Sequence, residues 1–159
     1  MKKLFAIACM VLMSTAMFGQ SKFAVGVNAG FAGFGDDYNP FGVGAKAQYE
    51  FVENIRAELD GALWFKKHGT GYWNLDLNFQ YLFPVADGIR VYPLVGACLL
   101  DSWGDGDMDM RIGFNAGAGV EYMLGENLKL NLDAKYMYTK KDSYKIDAPV
   151  IALGVAYCF

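Results

Sequence analysis

The stretch FGVGAKAQYEF, residues 41–51, decides the fold. Phe41, Val43, Ala45, Ala47, Tyr49 and Phe51 share one parity, and Gly42, Gly44, Lys46, Gln48 and Glu50 share the other. A period of two held over this length puts one set on each face of a β-strand. Residues 55–65 repeat the pattern, with Ile55, Ala57, Leu59, Leu63 and Phe65 opposed to Arg56, Glu58, Asp60 and Trp64. So do residues 73–83, where Trp73, Leu75, Leu77, Phe79, Tyr81 and Phe83 oppose Asn74, Asp76, Asn78, Gln80 and Leu82. Working outward, residues 23–31, 89–99, 112–124, 128–138 and 149–159 alternate in the same way, which predicts eight strands.

The charges tell which face points inward. Lys22, Lys46, Glu50, Arg56, Glu58, Asp60, Asp76, Arg90, Arg111, Glu121, Lys129, Asp133 and Lys135 all lie in or beside these strands with the parity opposite to the aromatic and aliphatic face. The charged face also holds Gly26, Gly30, Gly42, Gly44, Gly96, Gly113, Gly117, Gly119 and Gly154. An eight-stranded barrel has an interior just wide enough for side chains to fill, and glycines on that side leave room for long charged chains to cross it. Bulky apolar groups outside and charges inside is the pattern of a transmembrane barrel, the closed form in which strands satisfy every backbone group within a bilayer.

Composition agrees. The chain has 159 residues, 54% hydrophobic and 16% aromatic, with a formal net charge of −3. That excludes a disordered chain and, with no basic excess, argues against nucleic acid as a partner. The longest apolar run, residues 4–13, is half the ~20 residues a membrane-spanning helix needs. Preceded by Lys2 and Lys3 and followed by a stretch with small residues, it reads as the core of a secretory signal peptide over residues 1–19, cut near Gly19/Gln20. The transmembrane β-barrel then occupies 20–159. Short connections (52–54, 84–88, 125–127) alternate with longer ones (34–40, 66–72, 100–111, 139–148), as expected for periplasmic turns and outer loops. Outward aromatics gather at two levels, with Phe23, Tyr49, Phe51, Tyr81, Phe83, Tyr122, Tyr157 and Phe159 at the short-turn end and Phe31, Phe65, Trp73 and Tyr138 at the other.

With Tyr92-Pro93 followed by Gly96-Ala97 in the fifth strand and a last strand ending Ala156-Tyr157-Cys158-Phe159, the chain resembles the small eight-stranded outer-membrane proteins of the OmpA and OmpX type. The resemblance implies an all-β, antiparallel up-and-down barrel in the outer membrane of a Gram-negative cell, in contact with lipid and lipopolysaccharide and monomeric. Phe159 with Tyr157 two residues before it resembles the signal by which the barrel-assembly machinery recognises its clients.

The lumen is the candidate for functional chemistry. The short 52–54 connection sets Glu50 opposite Arg56, Gln48 opposite Glu58 and Lys46 opposite Asp60, which predicts two cross-strand ion pairs. Glu121 comes diagonal to Lys129, and Gly117 lies opposite Lys135. Because an unpaired buried charge is costly, Lys46, Glu50, Arg56, Glu58, Asp60, Asp76, Arg90, Arg111, Glu121, Lys129, Asp133 and Lys135 are expected to form one paired network. The expected role is a structural or surface-interacting barrel with a filled lumen, no cofactor and no enzymatic activity. The alternative is a small ion-conducting porin gated by these salt bridges. A third reading is a lipid A-modifying enzyme, because lipid A acyltransferases resemble this chain in size and use His, Asp and Ser near the outer surface. His68, Asp101 and Ser102 lie in outer connections, but no recognised spacing joins them, and a charged lumen offers no apolar acyl pocket. Asp105, Asp107 and Asp109 alternate like calcium ligands without the Glu that completes an EF-hand loop, and read as a solvated acidic loop. Cys98 and Cys158 face the lumen at different heights, predicting two free, shielded thiols, and Pro93 in mid-strand predicts a bulge or a lost ladder bond.

Overall fold

The computed structural model describes residues 22–34, 39–67, 70–104, 110–141 and 144–159. The strands are β1 (Phe23–Ala32), β2 (Phe41–Val52), β3 (Ile55–Lys67), β4 (Thr70–Tyr81), β5 (Phe83–Ala86), β6 (Ile89–Gly104), β7 (Arg111–Met123), β8 (Leu128–Lys141) and β9 (Tyr144–Cys158). Sequence neighbours pair antiparallel except β4 and β5, which both pair with β6, and β1 pairs with β9 from Ala24↔Cys158 to Ala32↔Val150. The sheet is therefore a closed ring of eight crossings, with β5 an extra strand continuing the fourth. Closure removes the edges that would otherwise expose unpaired backbone groups to lipid.

Pro93 explains the split fourth crossing. β4 pairs with β6 down to Gln80↔Leu94, and the same register resumes at Phe83↔Val91. Between them the ladder is interrupted where Tyr81 and Leu82 face Pro93 and Tyr92. Proline carries no N–H, so a ladder bond is missing there, while on the opposite side Leu82 extends the β3 ladder by donating its N–H to the Asn54 carbonyl at 2.7 Å. On its other side Pro93 stays in register with Ala118. The ladder is broken and then continues, without a net register slip.

The strands also run further outward than the alternation suggests. Residues 66–72 and 139–148 were expected to be loops, yet β3 and β4 reach Lys67 and Thr70, and β8 and β9 reach Lys141 and Tyr144. β6 continues to Gly104, and the expected 84–88 connection contains β5. Near the rim both faces of these segments are mixed, so the period-two signal fades while the backbone ladder persists. At the opposite end, the three short turns contain Asn54, Gly88 and Gly125, whose positive φ angles of 65°, 74° and 91° supply the left-handed position a tight turn needs. Residues 1–21, including the expected signal peptide, lie outside the described residues.

The two faces separate as the parity requires. Val27, Phe31, Leu59, Leu63, Phe79, Phe114, Ile151 and Leu153 are exposed on the isolated chain, facing the bilayer, whereas Lys46, Arg56, Glu58, Asp76, Glu121 and Lys129 are buried. Rings pack around both rims: Phe31–Phe41 at 5.4 Å, Phe41–Phe65 at 5.9 Å and Phe114–Tyr138 at 5.2 Å at the outer one, and Tyr81–Phe83 at 4.6 Å and Phe23–Phe159 at 5.8 Å at the inner one. Amphipathic rings at headgroup level form the two girdles of a membrane barrel. The curvature of so small a barrel also fixes its inward glycines. A Cβ on Gly117 would lie 2.6 Å from the Lys135 Cα and closer still to the Ala134 carbonyl oxygen, both backbone atoms that cannot yield.

Candidate functional site

The lumen is stacked in layers, starting with a vestibule at the short-turn end. This opening has a volume of about 470 Å3 and is walled by Phe23, Met123, Cys158 and Phe159 among others. Its floor is built on the Glu121 carboxylate. Arg56 Nη1 lies 2.7 Å from Glu121 Oε2, Arg90 Nη2 lies 2.5 Å from Oε1, and Lys129 Nζ stands 3.7 Å from Oε2. Arg90 also reaches Glu50 at 3.3 Å, while Arg56 donates from Nε to Gln80 at 2.6 Å and stacks over the Tyr92 ring, 5.0 Å from its centroid.

Above the floor sit two charged clusters. Lys46 Nζ is 2.9 Å from Asp133 and 3.6 Å from Glu58, whose carboxylate accepts from Gln48 at 2.5 Å and Asn78 at 3.2 Å. Asp133 further accepts from the Tyr92 hydroxyl and from Asn131 at 2.5 Å. Across the lumen, Lys135 Nζ bridges Asp60 at 3.1 Å and Asp76 at 2.5 Å, and Asn28 donates to Asp60 at 2.8 Å. The void left among these groups is about 10 Å3, close to the space one water needs.

The strand register places Glu50 opposite Arg56, Gln48 opposite Glu58 and Lys46 opposite Asp60, and Gly117 opposite Lys135. The ionic partners nevertheless differ from the expected pairs. Arg56 bonds Glu121 rather than Glu50, which takes Arg90; Lys46 bonds Asp133 and Glu58, and Asp60 takes Lys135. Directly opposed side chains lie side by side on one wall, whereas a long Arg or Lys extends into a tube narrow enough for it to meet carboxylates rooted in the far wall. Glu121 and Lys129 do approach each other along their diagonal. Arg111 starts β7 at the outer end, half-buried and level with Leu100.

An apolar outer layer escaped the sequence reading. Ala32, Ala62, Trp64, Cys98, Leu100, Met137 and Val150 form one buried cluster, with Phe34, Tyr72 and Ile146 packed against it. Phe34 stacks on Tyr72 at 4.8 Å and meets the edge of Trp64 at 6.1 Å, and Trp64 Nε1 donates to Asn74 at 2.7 Å. The lumen is thus mainly charged in its inner part, where Leu82, Tyr92 and Leu94 form a small buried cluster, and apolar beneath the outer rim. Here too the lumen-facing Trp64, Leu100 and Val150 alternate with apolar outward residues, so no contrast marks them.

Cys98 and Cys158 are free; Cys98 is buried, but Cys158 is partly exposed in the vestibule wall, so only one of the two is shielded. Tyr157 and Phe159 lie on the outside of the inner rim with ring centroids 5.2 Å apart. Asp101 is buried at the end of β6, and its carboxylate accepts from the Ser102 N–H at 2.8 Å. His68 and the acidic Asp105, Asp107 and Asp109 lie outside the described residues.

Comparison with known proteins agrees with this geometry. The model of the outer membrane protein beta-barrel domain family matches residues 4–159. Neisserial surface protein A superposes with a TM-score of 0.76 at 19% identity, covering 89% of this chain and 99% of that one. The N-terminal β-barrel domain of Pseudomonas aeruginosa OprF gives a TM-score of 0.68 at 18% identity over 88% and 100% of the two chains. The attachment invasion locus protein Ail of Yersinia pestis gives 0.58 at 20% identity over 90% and 100%. No protein with a curated description matches the chain. The chain belongs to the outer membrane protein beta-barrel domain family, and its place is the outer membrane of a Gram-negative cell.

Proposed function

We propose that this member of the family is a non-enzymatic structural and surface-interacting barrel whose lumen is sealed by its own side chains. The observation that carries the reading is the succession of an ion-paired floor, two filled charged clusters and an apolar layer, with about 10 Å3 of space between them. A continuous water path needs a polar bore, and an apolar constriction resists wetting. The chain matures by loss of residues 1–19 and is assembled through its C-terminal strand, with Tyr157 and Phe159 as the recognition element. The closed ring leaves no edge for strand exchange, which supports a monomer. At the outer rim Lys140 and Lys145 are directly opposed and both exposed, a placement that favours contact with lipopolysaccharide phosphates.

Planar-bilayer recording tests the seal. Protein whose folding is verified by its heat-dependent gel mobility is expected to leave the bilayer silent. Stable conductance steps that change in Glu50→Gln or Arg56→Gln would overturn the proposal in favour of a salt-bridge-gated porin.

A further inference from the structure

We infer that the short-turn vestibule is an oxyanion-binding site, in which a carboxylate or phosphate group of a small periplasmic solute is held by Lys129 and Arg56 beside Glu121. The inference rests first on charge. The floor carries Arg56, Arg90 and Lys129 against Glu121 and Glu50, three cations facing two carboxylates. Every carboxylate in that floor is already shared: Glu121 among all three cations, and Glu50 with Arg90.

The second observation is where hydrogen-bonding capacity is left over. Lys129 is 3% exposed, and its one ionic neighbour among the described residues, Glu121, stands at 3.7 Å, beyond hydrogen-bond reach. Arg56 is 1% exposed, and while Nη1 and Nε are engaged, Nη2 has no partner among the described residues. A buried guanidinium N–H without an acceptor is costly, and the Lys129 ammonium has no protein acceptor within hydrogen-bond reach among the described residues. Both residues wall a vestibule of about 470 Å3, ample for a small solute and far more than a halide ion fills. A guanidinium edge beside an ammonium suits an acceptor with two or more oxygens, which can engage both at once. Among the described residues, the charged clusters above the floor enclose about 10 Å3, and each of their lysines has a carboxylate within about 3 Å.

Cys158 in the vestibule wall supplies the reporter. The folded protein in detergent micelles is alkylated with neutral N-ethylmaleimide while inorganic phosphate or acetate is titrated at constant ionic strength against chloride. Isothermal titration with the same anions runs in parallel. Saturable slowing of Cys158 alkylation by phosphate or by acetate is expected, and which of the two protects identifies the group the site takes. Lys129→Met should weaken the apparent affinity by about tenfold or more, the scale of one charge-assisted hydrogen bond, and Lys129→Arg should restore much of it. Glu121→Gln should tighten binding by removing the competing carboxylate, whereas a purely structural floor predicts no gain. Equal protection by chloride, no saturation with either oxyanion, or an unchanged affinity in both Lys129→Met and Glu121→Gln would overturn the assignment. Gel mobility reports whether each variant folds, and a silent or a conducting lumen leaves this outcome untouched.

Discussion

Replacing Lys135 with Met tests the central claim that the lumen charges hold each other in place. Asp60 and Asp76 are directly opposed on β3 and β4, 6% and 0% exposed, and Lys135 reaches them from β8 on the far wall at 3.1 and 2.5 Å. Methionine keeps most of the side-chain length and volume, so the void it leaves is small and the change is chiefly electrostatic. It strands two like charges face to face in a site with no bulk water. Breaking a buried ion pair from one side costs about 3–5 kcal/mol, and the loss of two hydrogen bonds to charged groups at about 1.5–3 kcal/mol each gives a similar figure. The Asn28 donor to Asp60 remains and blunts the effect, so a loss of about 3–4 kcal/mol is expected. Urea unfolding of vesicle-folded protein, followed by tryptophan fluorescence and gel mobility, measures it by linear extrapolation. The triple variant Lys135→Met with Asp60→Asn and Asp76→Asn should recover most of the loss, because a neutral hydrogen-bonded set no longer carries uncompensated charge. A single variant within 1 kcal/mol of the parent, or a triple variant no better than the single, would refute the reasoning.

Three further outcomes follow from particular contacts. Gly117→Ala should destabilise the barrel by about 1–3 kcal/mol in the same assay, since its Cβ meets the backbone of β8 and not a movable side chain. Pro93→Val supplies the missing N–H opposite the break between β4 and β5 and should add about 0.5–1.5 kcal/mol, with slower amide hydrogen exchange at residues 91–95. Of Cys98 and Cys158, only Cys158 should react with a maleimide in the folded barrel, and both should react once it is unfolded; mass spectrometry of the digested protein distinguishes them.

The alternation around Lys46, Glu50 and Arg56 makes the number of crossings, their register and the inward set legible in the sequence. Local pairing depends only on parity and turn length, and both are written in consecutive residues. The identity of ionic partners was not, because Arg56 and Glu121 lie 65 positions apart and meet across the tube, a distance that neighbour-strand reasoning does not reach. The apolar layer under the outer rim was hidden for a different reason. Trp64 stands between Leu63 and Phe65, and Leu100 follows Leu99, so inward and outward residues there share one chemistry. Pro93 announced a defect, and only the three-dimensional ladder shows that it divides one crossing into β4 and β5.

The order of the layers has a physical consequence of its own. A lumen lined only by charges would hold water around imperfect pairs, and the amides of Asn115, Gln80 and Asn131 retain unpartnered atoms that invite it. Such a bore would depend entirely on its salt bridges to stay closed, and exchanging one partner would open a path. Here Trp64, Leu100, Met137 and Val150 interrupt the polar column before it reaches the outer rim. Water entering from the vestibule can satisfy the charged floor, yet higher up it meets a segment where apolar side chains surround the few amides of Asn74 and Asn115, and a chain of water molecules there has few partners. The charged clusters are therefore free to serve folding, by tying β2, β3, β4, β7 and β8 together across the lumen, and the vestibule is free to hold a polar occupant. In the proposed sealed barrel, neither task asks the ion pairs to be the barrier, because the apolar layer of Trp64, Leu100, Met137 and Val150 lies above them.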